Sequence, residues 1–149
     1  MNKINPTTCV ATSNQKIEIP DKLGRNIVLY FYPKDDTPGC TIEGNDFTRL
    51  QESFSKNNTV IYGVSRDSIA SHEKFREKFN YTIDLISDED ESLCNQFNVI
   101  KLKKLYGKEH LGIERSTFVI SPSGDILKEW IKVKVDGHAN EVIEFIKEL

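Results

Sequence analysis

Short runs of β-branched and aromatic residues alternate along this chain with longer stretches in which apolar residues recur every third or fourth place. Residues 27–32 are one such run, bounded by Gly24 and Pro33, and read as a buried strand. Charged and turn-forming residues end it. Phe47, Leu50 and Phe54 then follow at helical spacing, with Thr37 placed as N-cap and Pro38 in the first helical position, where its missing N–H costs nothing. Residues 59–65 form a second apolar run of strand length, and residues 68–79 an amphipathic helix with Phe75 and Phe79 one turn apart. The order strand, helix, strand, helix predicts right-handed crossovers and a parallel sheet core.

The pattern is shorter on either side of this core. Residues 9–11 and 17–19 are apolar patches around the turn-like residues 12–15, which predicts a small hairpin. Residues 83–86 give a short strand and residues 89–97 a short helix capped by Asp88. The stretch 101–113, with Lys101, Lys103, Lys104, Lys108, Gly107 and Gly112, reads as a solvated surface loop. Residues 115–120 and 126–133 flank a Ser-Pro-Ser-Gly-Asp turn and predict a hairpin, with Trp130 as a packing residue. Residues 140–149 close the chain as a helix with Val142, Ile143, Phe145, Ile146 and Leu149 apolar.

Composition narrows the function. A chain of 149 residues that is 38% hydrophobic is sized for one domain spanning residues 1–149. A net charge of −3 with mixed signs offers no basic face for nucleic acid. No apolar run approaches the ~18 residues of a membrane span, and the polar start lacks a signal peptide's apolar core, so a cytoplasmic protein is expected. Cysteines at 9, 40 and 94 are an odd count without a close pair, which argues against a disulfide framework and against a Cys-x-x-Cys site. His72, His110 and His138 stand in polar contexts without metal-ligand spacing, and no metal or cofactor is expected.

Chemistry therefore rests on one cysteine. Cys40 falls in the first turn of the helix that follows the central strand, where free backbone N–H groups and the positive end of the macrodipole favour a thiolate. The bland reading is a small buried hydrophobe, which Cys9 is expected to be. A merely structural Cys40 would not need the polar Thr-Pro-Gly turn before it.

The segment Phe31-Tyr32-Pro33-Lys34-Asp35-Asp36-Thr37-Pro38-Gly39-Cys40-Thr41 closely resembles the active-site segment of the peroxiredoxins, and within them the Q-type group, also called bacterioferritin comigratory protein. Glu43 falls where that family often has Glu, and Glu114-Arg115-Ser116-Thr117-Phe118-Val119-Ile120 resembles its second signature, an Arg opening a strand. The resemblance covers nearly the whole chain and is weakest before Asp21. It implies a thioredoxin-like three-layer α/β/α sandwich with a mixed central sheet. It also implies a thiol peroxidase that reduces hydrogen peroxide and organic hydroperoxides through a sulfenic acid at Cys40, re-reduced by thioredoxin or another thiol. The catalytic set it implies is Cys40, Thr37, Arg115 and Pro38, with the Thr37 hydroxyl, the Cys40 N–H and the Arg115 guanidinium as hydrogen-bond donors to the peroxide oxygens and the proline shielding the sulfur, in a monomer.

Each of these residues has a plainer reading. Thr37 could be an N-cap only, Arg115 a surface ion-pair residue, and Glu43 a helix-capping or solvated residue outside the catalysis; Phe31 and Tyr32 read as core and pocket wall. Two other functions stay open: a cysteine hydrolase with His138 as base, and a thioredoxin-like binding or chaperone module with an inert Cys40. The family's usual resolving cysteines are missing, since those positions hold Asn45 and Arg76. A one-cysteine cycle resolved by an external thiol is favoured, ahead of resolution by Cys94 or Cys9.

Overall fold

The computed structural model describes residues 3–149. In chain order the elements are β1 (Thr7–Ala11), β2 (Gln15–Ile19), β3 (Asn26–Phe31), α1 (Pro38–Lys56), β4 (Thr59–Ser65), α2 (Ile69–Phe79), β5 (Asp84–Ser87), α3 (Ser92–Gln96), β6 (Ile100–Leu105), β7 (Lys108–Ile113), β8 (Ser116–Ile120), β9 (Ile126–Ile131) and α4 (His138–Lys147). Seven strands form one sheet in the order β2-β1-β5-β4-β3-β8-β9, and β6 and β7 pair separately. β3, β4 and β5 run parallel, while β8, β9 and the β1–β2 hairpin are antiparallel additions at either edge, so the sheet is mixed. Helices flank it in the thioredoxin-like arrangement expected.

Strand periodicity decides which side chains share a core. Along β3, Ile27, Leu29 and Phe31 point to one face and pack with Cys9, Ile86, Leu93, Cys94, Phe97 and Phe118. Val28 and Tyr30, with Tyr32 just beyond the strand, point to the other. There they meet Cys40, Phe47 and Phe54 from α1, Phe75 from α2, and Val142, Ile143 and Ile146 from α4. Cys40 is thus separated from Cys9 and Cys94 by the thickness of the sheet.

Two expectations are corrected. Residues 101–113 are not a loop: β6 and β7 make a hairpin closed by the two-residue turn Tyr106-Gly107, whose φ angles of 52° and 76° are those of a type I′ turn. Leu102 faces Leu111 across the ladder, and both are exposed, as is Tyr106. The dense lysines hid an alternation that is genuine but half solvated. α3 begins at Ser92 rather than at residue 89, because Glu91 takes a left-handed φ of 62°. Asp88 still caps it, its carboxylate accepting from the Leu93 and Cys94 N–H groups at 3.0 and 2.7 Å.

Candidate active site

β3 and α1 are joined by residues 32–37, and this connection presents the start of α1 at the carboxyl end of the central strand. Pro38 occupies the first helical turn, so Cys40 lies among the first N–H groups of α1, which have no intrahelical acceptor. Cys40 is 2% exposed. Arg115, immediately before β8, reaches back across the sheet edge, and its Nη2 lies 3.3 Å from Cys40 Sγ. The register Phe31↔Ser116 accounts for the meeting, since it sets the residue before β8 beside the end of β3, where α1 starts.

Glu43 completes the group. Its side chain is buried, and its Oε1 accepts from Arg115 Nη1 at 2.6 Å. The expected capping or solvated role for Glu43 is therefore wrong. It lies one turn beyond Cys40, on the same inward face, and only the Arg brought in by β8 explains why an acid is tolerated there. Burial pushes the Glu43 carboxyl up to about 7 against the opposing pull of Arg115. Burial works against the Arg115 charge as well, but Glu43 and Cys40 outweigh it and raise its pKa. Gly39 gives the guanidinium room: a Cβ there would stand 3.2 Å from Arg115 Nη2.

Thr37 has the extended backbone of an N-cap, yet its hydroxyl does not cap the helix as expected. It donates to the Lys34 carbonyl at 2.9 Å, while the Thr37 carbonyl receives Thr41 N–H and Thr41 Oγ1 at 2.9 and 2.8 Å. Pro38 is exposed beside it. Cys40 and Arg115 are thus in direct contact, and Thr37 and Pro38 adjoin them through the chain. Phe31 is core, and Tyr32 is buried on the Cys40 side.

Two of the histidines, His138 and His72, are buried. His138 is buried, its Nε2 bonded to Thr117 Oγ1 at 2.7 Å and its ring edge-on to Trp130 and Phe47; burial, with Arg115 nearby, pushes it down to about 4. That engagement leaves it unsuited as the base of a cysteine hydrolase. Trp130 packs as expected, against His138 and Phe145. His72 is fully buried and lies with Asp35 and Asp67 in one cluster.

Residues 2–129 match the model of the AhpC/TSA family. The chain is 54% identical over 124 residues to peroxiredoxin Bcp of Xanthomonas campestris pv. campestris, covering 83% of this chain and 78% of that one. It is 49% identical over 135 residues to peroxiredoxin Bcp of Bacillus subtilis, covering 91% and 86%. Among solved structures, the Xanthomonas campestris bacterioferritin comigratory protein, trapped as an intermediate or ligand complex, superposes with a TM-score of 0.90 at 46% identity, over 95% of this chain and 90% of that one. A cysteine-to-serine mutant of Xylella fastidiosa PrxQ gives 0.92 at 41% identity, over 99% and 96%.

Proposed function

The chain belongs to the AhpC/TSA family of peroxiredoxins and is a thiol peroxidase, and from that premise we propose that Cys40 is its peroxide-reducing nucleophile, with Arg115, Thr37 and Pro38 completing the site. The observation that carries this reading is the 3.3 Å contact between Arg115 Nη2 and Cys40 Sγ at the start of α1. A fixed guanidinium and the helix N-terminus both favour a thiolate, and the planar fork of Arg can serve sulfur and peroxide together.

The thiolate attacks one peroxide oxygen in line with the O–O bond. A new S–O bond forms, the O–O bond breaks, and the other oxygen leaves as hydroxide or alkoxide and takes up a proton. Cys40 loses two electrons and becomes the sulfenic acid. Arg115 and the Cys40 backbone N–H face the developing oxygen charge. The Thr37 hydroxyl proton is committed to Lys34 O, so its oxygen meets the peroxide as an acceptor for the O–H that positions it. Pro38 screens the sulfur from bulk water.

An external thiol then displaces water from the sulfenic acid to give a mixed disulfide, and a second thiol restores Cys40. Three observations favour this one-cysteine cycle. Cys9 and Cys94 pack on the opposite face of the sheet from Cys40. Burial pushes the Cys9 thiol up to about 12 and raises Cys94 further, leaving both as weak nucleophiles. The family's resolving positions hold Asn45 and Arg76. Thioredoxin or another dithiol suits the reductant role. The Xanthomonas campestris relative is described by its alkyl peroxide reduction activity, which supports organic hydroperoxides as substrates here beside hydrogen peroxide. Three free thiols suit a reducing compartment, and among the described residues no helix is long and apolar enough to cross a membrane; we place a monomer, one domain over residues 1–149, in the cytoplasm.

The test is intact-mass and peptide analysis after one equivalent of peroxide. Cys40 gains one oxygen, or its dimedone adduct, and Cys40→Ser gains none and has no peroxidase activity with dithiothreitol. Full activity in Cys40→Ser would overturn the assignment.

A further inference from the structure

Asp35 lies in the connection that leads from β3 to Cys40, two residues before Thr37, and its carboxylate is buried. Oδ1 accepts from Tyr32 Oη at 2.7 Å and Oδ2 accepts from Ser71 Oγ at 2.7 Å. The Asp35 backbone N–H donates to Asp67 Oδ2 at 2.8 Å, and that same oxygen accepts from Ser65 Oγ at 2.6 Å. The residue is thus held at its main chain by Asp67, in the turn after β4, and at its side chain by Tyr32 and by Ser71 of α2.

His72, in the first turns of α2 and 0% exposed, makes the remaining contact. Its Nδ1 is 2.7 Å from Asp35 Oδ2, and its Nε2 is 2.9 Å from the Ile86 carbonyl in β5. A carbonyl oxygen can only accept, so Nε2 carries a proton and donates. A neutral imidazole has no second N–H. The Nδ1–Oδ2 contact is a hydrogen bond only if one more proton lies between them, so the two side chains share it and the ring bridges β5 to the β3–α1 connection. Asp35, Asp67 and His72 are close enough together to suggest cation ligands. Their facing atoms are instead matched donor to acceptor by Tyr32, Ser71, Ser65, the Asp35 N–H and the Ile86 carbonyl.

We propose that His72 is a positioning residue for peroxide reduction: through the proton it shares with Asp35 it fixes the turn that sets Thr37 against Cys40. The turn has few other constraints on its side chains. Asp36 sits at a φ of 57°, and among the described residues its carboxylate pairs with the exposed Lys78, at 2.8 Å. Without the His72 bond, Asp35 keeps the Tyr32 and Ser71 hydroxyls and the Asp67 contact at its N–H, and it loses the ring that ties it to β5 through the Ile86 carbonyl. A displacement of the Thr37 oxygen relative to the sulfur then lowers the rate of attack, not the stability of the thiol.

The proposal rests on Cys40 and Thr37 acting as described above. Its test uses two variants of similar size. His72→Asn keeps an amide N–H near the Nδ1 position and gives up the Ile86 bond; His72→Gln keeps a donor near Nε2 and gives up Asp35. The readouts are the single-turnover rate of pre-reduced enzyme with peroxide, the rate of the sulfenic acid with dithiothreitol, and the urea midpoint. We expect His72→Gln to lose about tenfold or more in the peroxide step, with His72→Asn within about threefold of wild type and the dithiothreitol step unchanged in both. Nuclear magnetic resonance on the wild type should show a downfield proton coupled to His72 Nδ1. Equal losses in the two variants, or an Nδ1 without a proton, would overturn the proposal. Failure of the underlying reading shows differently, as a wild-type Cys40 that peroxide leaves unoxidised.

Discussion

Arg115 spends its two terminal nitrogens on different partners, Nη1 on Glu43 and Nη2 on Cys40. A lysine keeps the charge but offers one ammonium on a flexible stem, which cannot hold both directions at once. Arg115→Lys should therefore retain the far-ultraviolet circular dichroism of the fold and slow peroxide reduction by roughly tenfold or more, short of the roughly hundred- to thousandfold cost of removing a preorganised donor outright because the charge is kept; a stopped-flow rate within a factor of two of wild type would remove Arg115 from the chemistry. The same cluster predicts a pH response. Glu43 is raised from 4.5 to about 7 by burial, so between those values the folded state keeps a proton that the unfolded chain releases, and stability falls as pH rises. His138 is lowered from 6.5 to about 4 by burial, so between those values the unfolded chain binds a proton that the folded state refuses, and stability falls as pH drops. The windows overlap and the signs oppose. In urea unfolding, wild type should vary little from about pH 4.5 to 6.5; Glu43→Gln should gain stability as pH rises through that range, and a neutral His138→Asn should lose it. Cys40 and Arg115 were legible because a turn signal and a strand-opening charge mark them. Glu43 was not, because an acid in a helix reads as solvated until the strand that covers it is in place.

At the scale of elements, α1 is set by a close approach that no periodicity announces. Gly44 lies on its buried face, and the ring of Tyr81 fills the place a Cβ would occupy, with Tyr81 Oη donating to the Thr41 carbonyl at 2.7 Å. On helix propensity alone, Gly44→Ala would stabilise by about 1 kcal/mol. The steric term opposes it: the ring belongs to a buried cluster with Phe75 and Phe79, and over-packing there costs about 1–3 kcal/mol. We expect the net effect to be destabilising, seen as a lower urea midpoint, and a gain in stability would show that Tyr81 moves freely. The core strands and long helices were readable because their periodicity is strong. The β6–β7 hairpin was missed for a physical reason: Leu102 and Leu111 are exposed, so no burial sharpens the contrast with the lysines around them, and its turn uses Tyr106 rather than Asn or Asp at the first left-handed position.

For the molecule as a whole, the sheet is a partition. Cys40 packs with α1, α2 and α4, and the two other thiols pack on the far side with α3 and the amino-terminal hairpin. A disulfide needs Cα atoms within about 7 Å, so linking Cys40 to Cys94 would mean taking apart one layer. Non-reducing peptide maps of the oxidised protein should therefore contain no Cys40–Cys94 or Cys40–Cys9 link, and Cys94→Ser should turn over at the wild-type rate with thioredoxin. A stoichiometric Cys40–Cys94 disulfide would end the one-cysteine reading.

That partition also sets a clock. Where an oxidised sulfur has a partner within its own chain, the capture rate is a constant of the molecule. In the proposed one-cysteine cycle it scales with the thiol outside, so the lifetime of the Cys40 sulfenic acid reports the concentration of reductant around it. Rescue and irreversible over-oxidation to the sulfinic acid become a race between two solutes, a thiol and a second peroxide. Halving the reductant doubles the time for which the sulfur stands open to that second hit.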